Sequence, residues 1–287
     1  MLKDYYRLAK PGIVYGNVFT TVAGFLFAHR WMYSIEAASA FAATVIGLGL
    51  VIASAATFNN YLDRGMDAKM ARTSNRVLVT GKITPRNALI YGSILGILGF
   101  ALLYSFVNSL TANIALFGFV SYAIVYTFAK SKTDWAAVIG SIPGAVPIVV
   151  GYTAVTNQLD IPALCLFLAM VAWQMPHFYA IAIYRLDEYQ AAGVPVLPAR
   201  KGILAAKRHI FFYILAFILA TLAFFIFHYA GYAYLAIVLA AGLLWLWKSI
   251  KGFAVADDAL WARGLFRYSL IVLLAFSAAI AVGRVLP

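Results

Sequence analysis

Residues 59–76 read NNYLDRGMDAKMARTSNR, a run of amides, carboxylates and guanidiniums at the end of a long apolar segment. A membrane protein needs only a short polar turn at such a place, so the density of functional groups points to chemistry. At about 100° per residue, Asn60, Asp63 and Asp67 fall within roughly 60° of one another on one helix face, and their oxygens can converge on one cation. Two carboxylates and an amide are hard ligands. They suit Mg²⁺ shared with a substrate phosphate better than they suit zinc. Arg72 and Arg76 follow four residues apart, a spacing that lets both guanidiniums address one polyanion. A solvated loop of mixed charge is the alternative reading of the same stretch.

Working outward, 64% of the 287 residues are hydrophobic and 11% are charged. That balance excludes an ordinary soluble domain and indicates a polytopic membrane protein. A single cysteine, Cys165 in an apolar run, excludes an intrachain disulfide and a cysteine-based metal site. The start, MLKDYYRLAKPG, is basic ahead of an apolar segment but is followed by no short core with a small-residue cleavage site. It reads as a retained cytoplasmic amino terminus, and the lack of an Arg- and Ser-rich leader favours a bacterial plasma membrane over organelle import.

Apolar windows long enough to cross about 30 Å of hydrocarbon fall near 13–29, 41–62, 88–107, 111–129, 136–156, 161–184, 210–228, 231–249 and 266–283. The expected fold is therefore all-α, a bundle of about nine transmembrane helices forming one domain over 1–287. With the amino terminus inside, 20 of the 22 Lys and Arg lie on cytoplasmic segments, leaving Arg30 and Arg284 outside. This bias sets the carboxyl terminus outside and accounts for the net charge of +12 through topology and anionic lipid, with no need of nucleic acid.

Two long loops on the cytoplasmic side carry most of the ionisable groups. The second, 184–209, begins YRLDEYQ and repeats the plan of the first: Arg185, Asp187 and Glu188 stand about 124 residues after Arg64, Asp63 and Asp67. Two such pseudo-repeats would bring both acidic clusters to one central cavity open to the cytoplasm. In the sixth span, Trp173-Gln174-Met175-Pro176-His177-Phe178 places polar groups at membrane depth, where they usually face the protein interior. Pro176 is expected to kink the helix and open room beside His177. His177 and Tyr184, seven residues apart, share one helix face. A packing role is the alternative for His177 and for the aromatic Trp173.

With Tyr126, Lys130 and Lys132 at the end of the fourth span, these motifs resemble the UbiA-type intramembrane prenyltransferase superfamily over essentially the whole chain. The runs FNNYLDRGMDAKMARTSNR, WQMPHFYAIAIYRLDEY, GVPVLP and ADDALWAR are similar to its heme-farnesylating branch. One departure stands out: quinone-type members carry Asn-Asp where this chain has Asn59–Asn60. The resemblance implies transfer of a farnesyl group from farnesyl diphosphate to a vinyl group of heme b, with water added, giving heme O. It implies Mg²⁺ held by Asn60, Asp63, Asp67 and Asp187, and a catalytic set of Asp63, Asp67, Asp187 and His177. Substrate contacts are expected from Asn59, Asn60, Arg72, Arg76, Lys130, Lys132, Tyr184, Arg185, Glu188, Trp173 and Gln174. A downstream heme A synthase or terminal oxidase assembly is the implied consumer of the product. A quinone-precursor prenyltransferase, a secondary transporter and a heme chaperone remain the rival readings.

Overall fold

The computed structural model describes residues 1–29 and 34–283, and among these it is helical with no strand. A short helix α1 (Leu2–Leu8) is followed by α2 (Pro11–His29), α3 (Ile35–Asp67) and α4 (Pro85–Phe106). Helix α5 (Ser109–Val120) runs on through a π-helical stretch (Ser121–Tyr126) to Ala129. Then come α6 (Ala136–Thr156), α7 (Ile161–Tyr184), the short α8 (Leu186–Ala191) and α9 (Leu197–Lys201), and finally α10 (Ile203–Ile226), α11 (Tyr232–Lys251) and α12 (Asp258–Val282). Among the described residues, nine of these helices are long and apolar enough to cross a membrane. The chain is a multi-pass membrane protein. Arg30 and Arg284, the two cations expected outside, lie beyond the described residues.

Helix starts follow their sequence signals. The side chains of Ser34, Thr84, Asn108, Asp160 and Asp257 each accept a hydrogen bond from a first-turn backbone N–H of α3, α4, α5, α7 and α12. Such capping matters most where lipid offers a free N–H no partner. Several helices exceed their apolar windows, and α3 does so at both ends. α3 continues to Asp67, α10 begins seven residues before its window, and α12 begins eight residues before its own. Hydropathy sees only the hydrocarbon-spanning part, while long basic side chains such as Arg208 and Arg263 let a helix run on into the interface. Helix α7 passes through Pro176 as one assigned helix.

Each long helix packs on the next in sequence, from α2 to α12, and α12 closes the ring on α2; α2 also packs across the ring on α6, and α7 on α12. Apolar burial does not drive association in lipid, so close backbone approach and interhelical hydrogen bonds do. Glycines make the approach. A Cβ on Gly24 would lie 2.0 Å from Ile148 O, and one on Gly151 would lie 1.9 Å from Thr21 O, so α2 and α6 touch backbone to backbone. Helices α6 and α7 are the most enclosed of the spans. The two long loops, after α3 and after α7, meet at one end of the ring, where Glu188 reaches Arg72.

Candidate active site

At that end lies a cavity of about 460 Å³ walled by α2, α3, α5, α6, α7 and both loops. Its polar side is built on α3. Asn59, Asp63 and Asp67, spaced by one turn, are all buried and line the cavity. Asp63 accepts a hydrogen bond from Lys130 Nζ, and Asp67 accepts one from Arg76 Nη1 at 2.6 Å. Arg76 also donates to Asn60 Oδ1 at 3.0 Å, and Asn60 Nδ2 donates to Leu8 O at 2.8 Å. Thus Asn60 is spent on tying α1 and the first loop to α3, and Asn59 is the amide that faces the cavity.

Asn59 is itself held from two sides. Its Oδ1 accepts from Lys10 Nζ at 2.5 Å, and its Nδ2 donates to Thr127 Oγ1 at 2.8 Å. Thr127 Oγ1 in turn donates to Tyr122 O at 3.0 Å, a carbonyl within the π-helical stretch. That stretch sends Tyr122 and Tyr126 into the cavity, their rings 5.7 Å apart. Lys10 sits between α1 and α2 with a positive φ of 51°. Burial lowers its pKa to about 7, and the nearby Arg76 and Lys130 cations push the same way.

The second loop completes the wall. Tyr184, Arg185 and Tyr189 line the cavity, and Glu188 bridges Arg185 (2.8 Å) and Arg72 (3.9 Å), so the two motif loops meet through one carboxylate. Asp134 lines the cavity too and pairs with Lys201 at 2.9 Å, which holds its carboxyl below the usual range. Among the described lining residues, the cations Lys10, Arg72, Arg76, Lys130 and Arg185 outnumber the carboxylates Asp63, Asp67 and Asp134. The cavity is therefore suited to a polyanion. Phe178, Ile13, Met66 and the 194–197 turn give the same cavity an apolar lining as well.

Not all of the residues expected from sequence meet there. Asp187 is exposed on α8 and Lys132 is exposed beyond α5, and neither lines the cavity. Trp173 Nε1 donates to Ser269 O at 2.8 Å, and Gln174 Nε2 donates to Ser141 O and Met170 O, so both are interhelical ties. His177 faces α12, with Nδ1 2.8 Å from Ser269 Oγ. Conversely, Lys10, Tyr122, Asp134 and Tyr189 line the cavity without having been singled out as site residues. The Lys-Pro-Gly run at 10–12 marks a break after α1, because proline disfavours helical geometry at the residue before it, but it gives no sign of the left-handed φ found at Lys10.

The donor set admits Mg²⁺. Among the described residues no group of three His, Cys, Asp or Glu side chains gathers. Mg²⁺ nonetheless takes one or two carboxylates and completes its shell with substrate phosphates and water. Asp63 and Asp67, one turn apart and facing one cavity, match that pattern, and cationic partners now cover their oxygens.

Residues 17–271 match the UbiA prenyltransferase family. The protoheme IX farnesyltransferase of Photorhabdus laumondii subsp. laumondii is 46% identical over 288 aligned residues, covering 100% of this chain and 97% of that one. Its counterpart in Yersinia enterocolitica serotype O:8 is 47% identical, covering 100% and 96%. Among solved structures, a digeranylgeranylglyceryl phosphate synthase superposes with a TM-score of 0.80 at 18% identity, covering 99% of this chain and 98% of that one. A UbiA homolog from Archaeoglobus fulgidus bound to GPP and Mg²⁺ gives 0.67 at 18% identity, covering 96% and 99%. The structures show the shared fold, and the sequence matches show the lineage: this chain belongs to the UbiA prenyltransferase family.

Proposed function

We propose that this chain, acting as a single catalytic domain in a bacterial plasma membrane, transfers the farnesyl group of farnesyl diphosphate to a vinyl group of heme b, with water added, giving heme O and diphosphate. The observation that carries this reading is full-length similarity to protoheme IX farnesyltransferases, joined to a cavity lined by both cationic and apolar side chains. An isoprenoid diphosphate needs both kinds of lining. The orientation that fits is amino terminus inside, with the cavity at the cytoplasmic face, where a water-soluble diphosphate head arrives.

Arg72, Arg76, Lys130 and Arg185 hold the non-bridging oxygens, and the arginines can do so in a bidentate manner. Asp63 and Asp67 are the residues that would hold Mg²⁺, which when bound supplies charge neutralisation at the departing diphosphate. As the bond from farnesyl C1 to the diphosphate oxygen breaks, the faces of Tyr122, Tyr126 and Phe178 surround the allylic cation and exclude water. The terminal vinyl carbon then bonds to C1, the positive charge moves to the carbon beside the porphyrin ring, and water adds there with loss of a proton.

Product analysis by mass spectrometry tests this. Purified protein with heme b, farnesyl diphosphate and Mg²⁺ should give heme plus farnesyl plus water. A prenylated product from 4-hydroxybenzoate, with heme untouched, would overturn the acceptor.

A further inference from the structure

Ser269 makes two short contacts that together fix the proton on His177. Its Oγ lies 2.6 Å from Phe266 O and 2.8 Å from His177 Nδ1. A carbonyl cannot donate, so the single hydroxyl hydrogen goes to Phe266 O. The Ser269 oxygen must then accept, and the imidazole donates to it through Nδ1–H. The neutral ring therefore keeps its lone pair on Nε2. That nitrogen makes no hydrogen bond to the described residues, and the ring is only half-buried.

The surroundings of this nitrogen are flat and aromatic. Trp173 stacks on the His177 ring at 4.9 Å, and Phe266 lies against it at the same distance. Towards the loops, Tyr184 meets Phe266 at 5.7 Å, and the Arg263 guanidinium lies 5.6 Å from the Tyr184 ring centre. Arg263 is exposed and has no carboxylate partner among the described ion pairs. It stands six residues from Ser269 on α12, a rise of about 9 Å. That is close to the reach from a porphyrin's iron to its propionates. Phe178 and Tyr184 line the diphosphate cavity and also touch His177 and Phe266. The α7–α12 face thus adjoins the donor cavity through shared aromatic walls.

Building on the acceptor proposed above, we infer that the α7–α12 face is the acceptor subsite: His177 Nε2 ligates the iron of heme b, Ser269 is the positioning residue that holds the ligating tautomer, and Arg263 takes a propionate. A histidine ligand normally donates its other N–H in this manner, which sets both ring orientation and basicity. The iron is substrate here, so the bond orients the vinyl group and takes no part in electron transfer.

The test is heme titration of the full-length protein in detergent, read by absorption and resonance Raman spectra, with metal-free protoporphyrin IX in parallel and farnesyl diphosphate affinity as the check of folding. Wild type should show a nitrogen-ligated iron and bind heme b at least about tenfold tighter than the metal-free ring. His177→Ala should lose the ligand signature and that preference while keeping donor affinity. Ser269→Ala should weaken heme binding by roughly tenfold and alter the iron–nitrogen signature, and Ser269→Thr should restore both. Arg263→Gln should raise the KM for heme and leave the spectrum unchanged. An unchanged heme spectrum in His177→Ala would overturn the inference and move His177 to proton transfer. Failure of wild type to bind heme, with farnesyl diphosphate bound normally, would overturn the acceptor reading itself.

Discussion

Gly144 on α6 and Gln174 on α7 compete for one space. A Cβ on Gly144 would lie 1.9 Å from Gln174 Oε1, while the Gln174 amide is held by Ser141 O at 3.1 Å and Met170 O at 3.0 Å. The amide cannot swing away without abandoning both carbonyls in a buried setting. Gly144→Ala is therefore expected to cost about 1–3 kcal/mol, read as a lowered thermal midpoint in detergent. An unaltered midpoint would show that the two helices give way freely. By the same reasoning, Gln174→Ala should lower stability and leave the KM of either substrate unchanged.

Asp63→Asn should reduce turnover by about 100-fold or more, because it removes a charged oxygen facing the cavity and deprives Lys130 of its partner. The assay is heme O formation at saturating Mg²⁺, with the spectrum of bound heme b recorded alongside. Loss of heme binding with unimpaired release of diphosphate would place Asp63 on the acceptor side instead.

The arginines and the outlying charges separate cleanly. Arg72→Ala should raise the KM for farnesyl diphosphate roughly 10- to 100-fold, the loss of a charge-assisted hydrogen bond worth about 1.5–3 kcal/mol. Asp187→Asn and Lys132→Ala should each change activity by no more than about twofold, as exposed substitutions away from a site do. A collapse of activity in Asp187→Asn would mean that α8 turns inward when substrate binds.

Orientation can be read with cysteine reporters, because Cys165 is the chain's sole cysteine and is buried. On a Cys165→Ala background, Lys132→Cys should be shielded from a membrane-impermeant maleimide in intact cells, and Gln158→Cys should react. The reverse pattern would invert the topology and put the diphosphate cavity on the wrong side for its substrate.

Much of this architecture was legible in sequence for a plain reason: lipid forces backbone groups to pair within a helix, so hydropathy reveals every span. The convergence of 59–76 with 184–189 was legible as well, since both motifs sit at the same end of their helices. What the sequence did not reveal was a break in the helix just before Asp187, a residue expected from the resemblance. Tyr184 lines the cavity, but Arg185 leaves the helix at φ −118° and ψ 23°, so Asp187 begins a new axis and faces solvent. Asn60 falls on the expected face and is consumed by Arg76 and Leu8 O, partners distant in sequence or on the main chain. Lys10 was hidden because its inward turn depends on a left-handed backbone at a residue other than glycine.

The wide turn at 121–126 has a consequence for insertions and deletions. A π-helical stretch is an α-helix that has swallowed a surplus residue, with the helix on either side keeping its facing. In every other span, removing one residue would rotate all that follows by about 100°. Here it would let a regular helix close up, leaving Lys130 still turned towards Asp63 and Thr127 towards Asn59, while the Thr127 hydroxyl lost the Tyr122 carbonyl that it reaches across the wide turn and the cavity-facing tyrosines lost their spacing. Deleting Ser121 should thus give a folded, membrane-inserted protein with impaired catalysis, a lesion of chemistry rather than of assembly.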